Sequence, residues 1–162
     1  MKTARWRHNG TMAITLLLLG LTAIVGLTAP ALAEVDGDLR AGVYTNGEGF
    51  AIGGGLLAPF GGSEGWYFNP NVEMAFFDFA NEVTLNGDFH YDFGGNTALA
   101  PYLGIGPALL MVDPDGGDSR TDFGINLIGG LASHQGSARP FMQMKGIVGD
   151  NSELAIMGGV RF

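Results

Sequence analysis

The chain has 162 residues, enough for one domain of ordinary size, and carries 8 Lys and Arg against 16 Asp and Glu, a formal net charge of −8. That acidic balance excludes a nucleic-acid binder, whose surface must neutralise phosphate. The absence of cysteine excludes a disulfide-stapled exported domain and also a lipoprotein, which needs a thiol at its cleavage site.

The chain opens on a basic segment, residues 1–10, with Lys2, Arg5 and Arg7 and no acid. Residues 12–27 are then apolar or small throughout, and Pro30 precedes Ala31-Leu32-Ala33. A positive start, an apolar middle and a small-x-small site describe a cleavable secretory signal peptide over residues 1–33. The apolar run is shorter than the ~20 residues that cross a bilayer as a helix, which weighs against a retained anchor. Cleavage after Ala33 makes Glu34 the mature N-terminus. It leaves five cations against sixteen acids, a net charge of −11, suited to an exported protein that must not adhere to anionic material.

Residues 34–162 hold no apolar run long enough for a membrane helix and no amphipathic helical pattern. They alternate with period two between clusters of Gly, Asp, Asn and Ser. The expected strands are residues 39–44, 49–57, 66–78, 82–93, 98–111, 121–132, 139–148 and 153–162. The first sets Leu39, Ala41 and Val43 against Arg40, Gly42 and Tyr44; the second is glycine-rich and ambiguous in facing. The third sets Trp66, Phe68, Val72, Met74 and Phe76 against Asn69, Asn71, Glu73 and Ala75. The fourth is the clearest, with Val83, Leu85, Gly87, Phe89, Tyr91 and Phe93 on one face and Glu82, Thr84, Asn86, Asp88, His90 and Asp92 on the other. Twelve alternating residues match a tilted membrane-spanning strand. The fifth to eighth put Leu103 and Ile105 opposite Tyr102 and Gly104, Ile125 and Leu127 opposite Asp122 and Asn126, Met142 and Met144 opposite Gln143 and Lys145, and Ile156 and Val160 opposite Glu153 and Arg161. Pro70, Pro101 and Pro107 fall inside expected strands, where each removes a ladder donor and implies a bulge or a strand end.

Eight antiparallel strands, all-β, fit an up-and-down barrel. A transmembrane barrel and a soluble lipocalin-like binder share that count but face oppositely. Here charge and glycine share one face and large apolar residues the other, which favours the transmembrane barrel. The expected connections at one end are 45–48, 79–81, 112–120 and 149–152, facing outward from the cell. Those at the other are 58–65, 94–97 and 133–137.

Ala31-Leu32-Ala33, the alternating strands and the closing pattern Leu154-x-Ile156-x-Gly158-x-Val160-x-Phe162 together resemble the small outer-membrane β-barrel proteins, the OmpA/OmpX-like porin-family barrels. Val160 stands where that family commonly has an aromatic. The resemblance implies an outer-membrane location in a Gram-negative-type cell envelope and a monomer. It also implies contact with outer-membrane lipid and lipopolysaccharide, and handling by periplasmic chaperones and the barrel-insertion machinery, with Leu154, Ile156, Val160 and Phe162 as the insertion signal.

The chemistry expected of such a chain is mostly packing. An eight-stranded lumen has room for side chains or one small ligand. Arg40, Glu73, Glu82, Asp88, His90, Asp92, Asp122, Lys145, Glu153 and Arg161 are expected to fill it as a paired polar network, the rival being a narrow cation-favouring path. Trp66, Phe93, Tyr102, Phe141 and Phe162 are expected in an aromatic girdle at the periplasmic rim, and Phe76, Phe77 and Phe79 at the outer rim. Asp113, Asp115 and Asp118 form an acidic loop that lacks an EF-hand's closing Glu and offers at most weak divalent-cation binding. His134 and Ser137 suggest a lipid hydrolase (outer-membrane deacylases use His, Ser and an acid), but no partner acid is near in sequence. His90 lies between Asp88 and Asp92, which could orient it. The expected role is structural or surface-interactive, with at most a narrow porin-like pore. No catalytic residue and no cofactor are expected.

Overall fold

A computed structural model describes residues 35–46, 48–62, 64–94, 98–149 and 152–162; the expected signal peptide and its cleavage site lie outside them. Eight strands run β1 (Asp36–Tyr44), β2 (Gly49–Pro59), β3 (Trp66–Phe77), β4 (Ala80–Asp92), β5 (Leu99–Pro114), β6 (Arg120–Ser133), β7 (Arg139–Gly149) and β8 (Glu153–Arg161). Each pairs antiparallel with its chain neighbours, and β8 pairs with β1, closing the barrel. Gly37 and Phe162 exchange backbone hydrogen bonds of 2.9 Å beyond the last ladder pair and extend that seam. Closure leaves no strand edge exposed, which an open eight-stranded sheet could not achieve.

The near end of the barrel carries the start of β1, the finish of β8 and the connections 60–65, 93–98 and 134–138. The far end carries 45–48, 78–79, 115–119 and 150–152. The far-end connections are therefore no longer than the near-end ones, and two expected boundaries move. β4 begins at Ala80 and β5 runs on to Pro114, because Ala80↔Pro114 and Asn81↔Asp113 continue the ladder past the last apolar side chains. Alternating hydropathy ends where the apolar zone ends, while backbone pairing does not.

The facing is inside-out relative to a soluble barrel. Leu39, Leu103, Phe123, Ile125, Leu127, Met142 and Met144 lie on the outer surface, Phe123 with 76% of its area exposed. Lys145, Asp88 and Asn126 lie inside at 0%. With this facing, a barrel in water would leave its large apolar side chains in solvent and its charges in the dry core, which the hydrophobic effect opposes. The shortest strands have nine residues; at about 3.3 Å per residue and a tilt near 40° they rise about 23 Å, close to the ~25 Å apolar band of membrane barrels.

The prolines have a structural account. Pro70, Pro101 and Pro107 all face outward. The β2–β3 ladder lapses between Gly55↔Asn71 and Ala58↔Phe68, and the β4–β5 ladder between Asn86↔Ala108 and Phe89↔Ile105, around Pro70 and Pro107 respectively. Pro70 has no N–H to give to Leu56 opposite it. The Asn69 side chain replaces that donor, its Nδ2 reaching Leu56 O at 2.6 Å.

Inside, glycine makes room for bulk. A Cβ on Gly130 would fall 2.6 Å from Tyr102 Cε1, and one on Gly104 would fall 2.6 Å from His90 Cδ2. Both glycines exist so that a neighbouring ring can lie across the lumen. Two apolar clusters bracket the polar interior. Tyr44, Ala51, Ala75, Ala108, Leu110, Ile147, Ala155 and Met157 fill the far half, with Phe77 packed on them. Tyr102, Ile128, Ala132 and Phe141 pack toward the near end.

Candidate functional site: the lumenal network and the near-end rim

The centre of the lumen is a continuous polar network. Its anchor is Glu73 on β3, whose side chain is fully buried. Lys145 on β7, equally buried, forms an ion pair with Glu73 Oε2. Arg40 on β1 reaches Glu73 Oε1 at 3.4 Å and makes a two-pronged contact with Asp38, Nε to Oδ1 at 2.8 Å and Nη2 to Oδ2 at 2.7 Å. The planar guanidinium matches the carboxylate fork, so these bonds fix orientation as well as charge. Asn69 accepts from Arg40 Nη2 at 2.9 Å and donates to Asp38 Oδ2 at 2.9 Å. Tyr44 donates to Glu73 Oε2 at 3.4 Å.

From Asn69 the network crosses to β4 and β6. Asn71 Nδ2 donates to Asn69 Oδ1 at 3.1 Å and to Asp88 Oδ2 at 2.9 Å. Asn126 Nδ2 donates to Asp88 Oδ1 and to Asn86 Oδ1, both at 2.8 Å, and Asn86 donates to Asn71 at 2.9 Å. Burying such charges is tolerable only because each has partners. The residues holding the network together, Asp38, Asn69, Asn71, Asn86 and Asn126, are absent from the set singled out by charge. Their signal in the sequence is parity: each occupies an inward position of its strand.

Other expected members sit apart from this network. Arg161 stacks its guanidinium on the rings of Tyr102 and Phe141, 5.1 and 5.0 Å from their centroids. Cation–π attraction holds it there. Glu82 accepts from Thr84 at 3.0 Å toward the far end. Asp122 stands at the far mouth and pairs with exposed Arg120 at 2.9 Å, so it belongs to the mouth and not to the plug. Glu153 lies near the same mouth, its buried Oε2 without a hydrogen-bond partner among the described residues.

His90 is not oriented by its acidic neighbours. Its ring lies 5.2 Å from that of Tyr102, and neither nitrogen has a hydrogen-bond partner among the described residues. Asp88 is taken by the two asparagines. Asp92 turns to the near-end rim, where His134 Nε2 meets its Oδ2 at 3.2 Å and Gly94 N donates to its Oδ1 at 3.0 Å. A partner acid for His134 therefore exists, 42 positions earlier in the chain, beyond the reach of local spacing. Ser137, exposed in the same connection, makes no hydrogen bond to His134, so it does not complete a triad with the pair.

The girdle expectation is corrected at two positions. Tyr102 is 1% and Phe141 5% exposed, and both point into the lumen. Their parity is that of Gly104 and Lys145 on the same strands, and nearness to a strand end does not change facing. Phe77 likewise faces inward, edge-on to Tyr44 at 5.6 Å. Trp66, Phe76, Phe93 and Phe162 are on the outer surface, as are Ile156 and Val160, with Leu154 partly covered. In the acidic loop, Asp113 accepts from Ser119 at 2.8 Å. Asp113, Asp115 and Asp118 do not converge: among the described residues no group of three or more His, Cys, Asp or Glu is placed to hold a metal ion.

No protein-family model and no curated protein matches the chain. Solved structures do match in fold. Neisserial surface protein A (NspA) superposes with a TM-score of 0.63 at 15% identity, over 78% of this chain and 94% of that one. The N-terminal β-barrel domain of Pseudomonas aeruginosa OprF gives 0.64 at 16%, over 79% and 95%. The outer membrane enzyme PagL gives 0.54 at 11%, over 78% and 98%. The chain thus has the fold of the small eight-stranded outer-membrane barrels.

Proposed function

We propose that this chain is an integral outer-membrane barrel with a structural role and a lumen closed by its own side chains. The observation that carries the reading is the Lys145–Glu73–Arg40–Asp38 network set between two apolar clusters. The outward apolar wall supports membrane residence, and the likeness to NspA and OprF supports the outer membrane. The start of β1 and the finish of β8 then face the periplasm, and the far-end connections face outward. Those connections are short, which favours a structural over an adhesive role. Insertion would draw on periplasmic chaperones and the barrel-insertion machinery, with Phe162 and the outward residues of β8 as the recognised element.

Planar-bilayer recording of the folded protein tests the closed lumen. No discrete channel events are expected, and a steady cation-selective conductance in the wild type would refute it. The rival reading, a lipid hydrolase, has the His134–Asp92 pair and the likeness to PagL in its favour. A cell-envelope lipid profile altered by the wild type and restored by His134→Ala would establish it in place of the structural role.

A further inference from the structure

Two cavities meet at the near-end rim. The first is a groove of about 390 Å³ on the outer wall, lined by Trp66, Phe89, Tyr91, Phe93, Leu103 and Ile105. It runs up from the rim between β4 and β5. Its aromatic walls are braced: Trp66 and Tyr91 lie 5.1 Å apart, and Tyr91 and Phe93 meet edge-to-face at 5.0 Å. The second is a pocket of about 310 Å³ at the rim itself, lined by Glu64, Tyr67, Asp92 and His134. Tyr91 and Phe93 line both. Each volume lies within the roughly 300–1,000 Å³ of ligand pockets.

The polar pocket is built. Asp92 N donates to Gly65 O at 2.8 Å and pins the 60–65 connection over the end of β4. Gly94 N and His134 Nε2 hold the Asp92 carboxylate in place. Glu64 lines the same pocket. An apolar slot on a membrane-facing wall, continuous with an acidic pocket at the interface, has the form of an amphiphile with a cationic head. A primary ammonium offers three donors to the two carboxylates, and the acyl chain lies against the aromatic wall. An anionic head would meet Glu64 and Asp92 and be repelled.

We propose that this rim site binds a zwitterionic phospholipid whose head group carries a primary ammonium, the head between Glu64 and Asp92 and one acyl chain along the Trp66–Tyr91–Phe93 groove. The assignment rests on the membrane-barrel reading, which places the near end in the periplasmic leaflet, where glycerophospholipids face it.

Trp6 and Trp66 are the only tryptophans of the chain, so Trp6→Phe in the full chain leaves Trp66 as a reporter inside the groove. The protein is folded into phosphatidylcholine vesicles doped with chain-brominated phosphatidylethanolamine, phosphatidylcholine or phosphatidylglycerol, and bromine quenching of Trp66 is titrated. Phosphatidylethanolamine is expected to associate about three- to fivefold more tightly than phosphatidylcholine, the size of one exposed ion pair, with phosphatidylglycerol weakest. Glu64→Gln is expected to remove most of that preference, and Asp92→Asn to remove it as well. Equal quenching by all three lipids, a phosphatidylglycerol preference, or an undiminished phosphatidylethanolamine preference in Glu64→Gln overturns the site while leaving the barrel intact. Failure to acquire heat-modifiable migration in any vesicle overturns the barrel reading, and the site with it.

Discussion

Lys145→Met is the sharpest test of the buried network. The substitution keeps the length of the side chain and removes its charge. Both Lys145 and Glu73 have side chains at 0% exposure, so the Glu73 carboxylate loses its nearest cation with no water to replace it. What remains to it is Arg40 Nη1 at 3.4 Å and Tyr44 OH at 3.4 Å, both at the long limit of hydrogen bonding. Compensation is therefore slight, and the expected loss is about 3–5 kcal/mol, the range for breaking one partner out of a buried pair. Glu73→Gln alone leaves Lys145 as the orphan and is expected to cost a similar amount. The double variant removes both charges, and Arg40 keeps its bonds to Asp38 at 2.8 and 2.7 Å. It is therefore expected within about 1 kcal/mol of wild type, since a buried pair replaced as a whole is often neutral. Reversible urea unfolding in vesicles, followed by tryptophan emission and extrapolated linearly, measures all four proteins. A single-variant loss below about 1 kcal/mol, or a double variant as unstable as the two singles added, would refute the coupled network.

Leu127→Arg, on the outer face of β6 and 51% exposed, separates membrane from soluble barrel. It is expected to cost about 2–4 kcal/mol in vesicles, whereas an exposed site on a water-soluble barrel would shift by no more than about 0.5 kcal/mol. Asn69→Ala leaves Leu56 O and Arg40 Nη2 each short of a partner, and a loss of about 1–3 kcal/mol in the same urea series is expected; no loss would mean that the amide does not replace the Pro70 donor. Gly104→Ala forces a methyl group against His90 Cδ2 at an expected cost of about 1–3 kcal/mol, and adding His90→Ala should recover most of it, with failure to recover pointing to backbone strain instead.

How far the fold could be read from the sequence depended on side-chain contrast. Residues 82–93 alternate without a break, and β4 keeps that facing through every position from Glu82 to Asp92. The contrast fails over Leu109-Leu110-Met111-Val112, where all four are apolar. Burial shows that Leu110 and Val112 point inward, as the parity continued from Tyr102 and Gly104 requires. It fails again in β2, where Gly53-Gly54-Gly55 carries no side chains to compare. Polar type marks a position as lumenal without naming its partner. Asp38 lies before the expected first strand, yet it holds Arg40. The His134–Asp92 contact joins the ends of β4 and β6 at one rim, two strands that are not neighbours in the sheet. Aromatic character points Tyr102 and Phe141 to the rim, but the parity they share with Gly104 and Lys145 is the stronger signal.

The distribution of charge along the lumen argues against a cation path more directly than the presence of a plug does. The chain carries an excess of acid, and an excess of acid inside a barrel would favour cations if it sat at the constriction. It does not sit there. At the centre, Glu73 is paired with Lys145 and Arg40, Asp38 with Arg40, and Asp88 with Asn71 and Asn126, all buried, while Arg161 lies toward the near end on Tyr102 and Phe141. Glu82, Asp122 and Glu153 lie toward the far mouth and Asp92 at the near rim. An entering cation would be drawn to either mouth and then meet a layer whose carboxylates are already paired and hydrogen-bonded. Beyond that layer, toward the far end, Tyr44, Leu110, Ile147 and Met157 fill the lumen beside Glu82 and Glu153. The carboxylates are thus either paired at the centre or set toward the two mouths, with side chains filling the lumen between them.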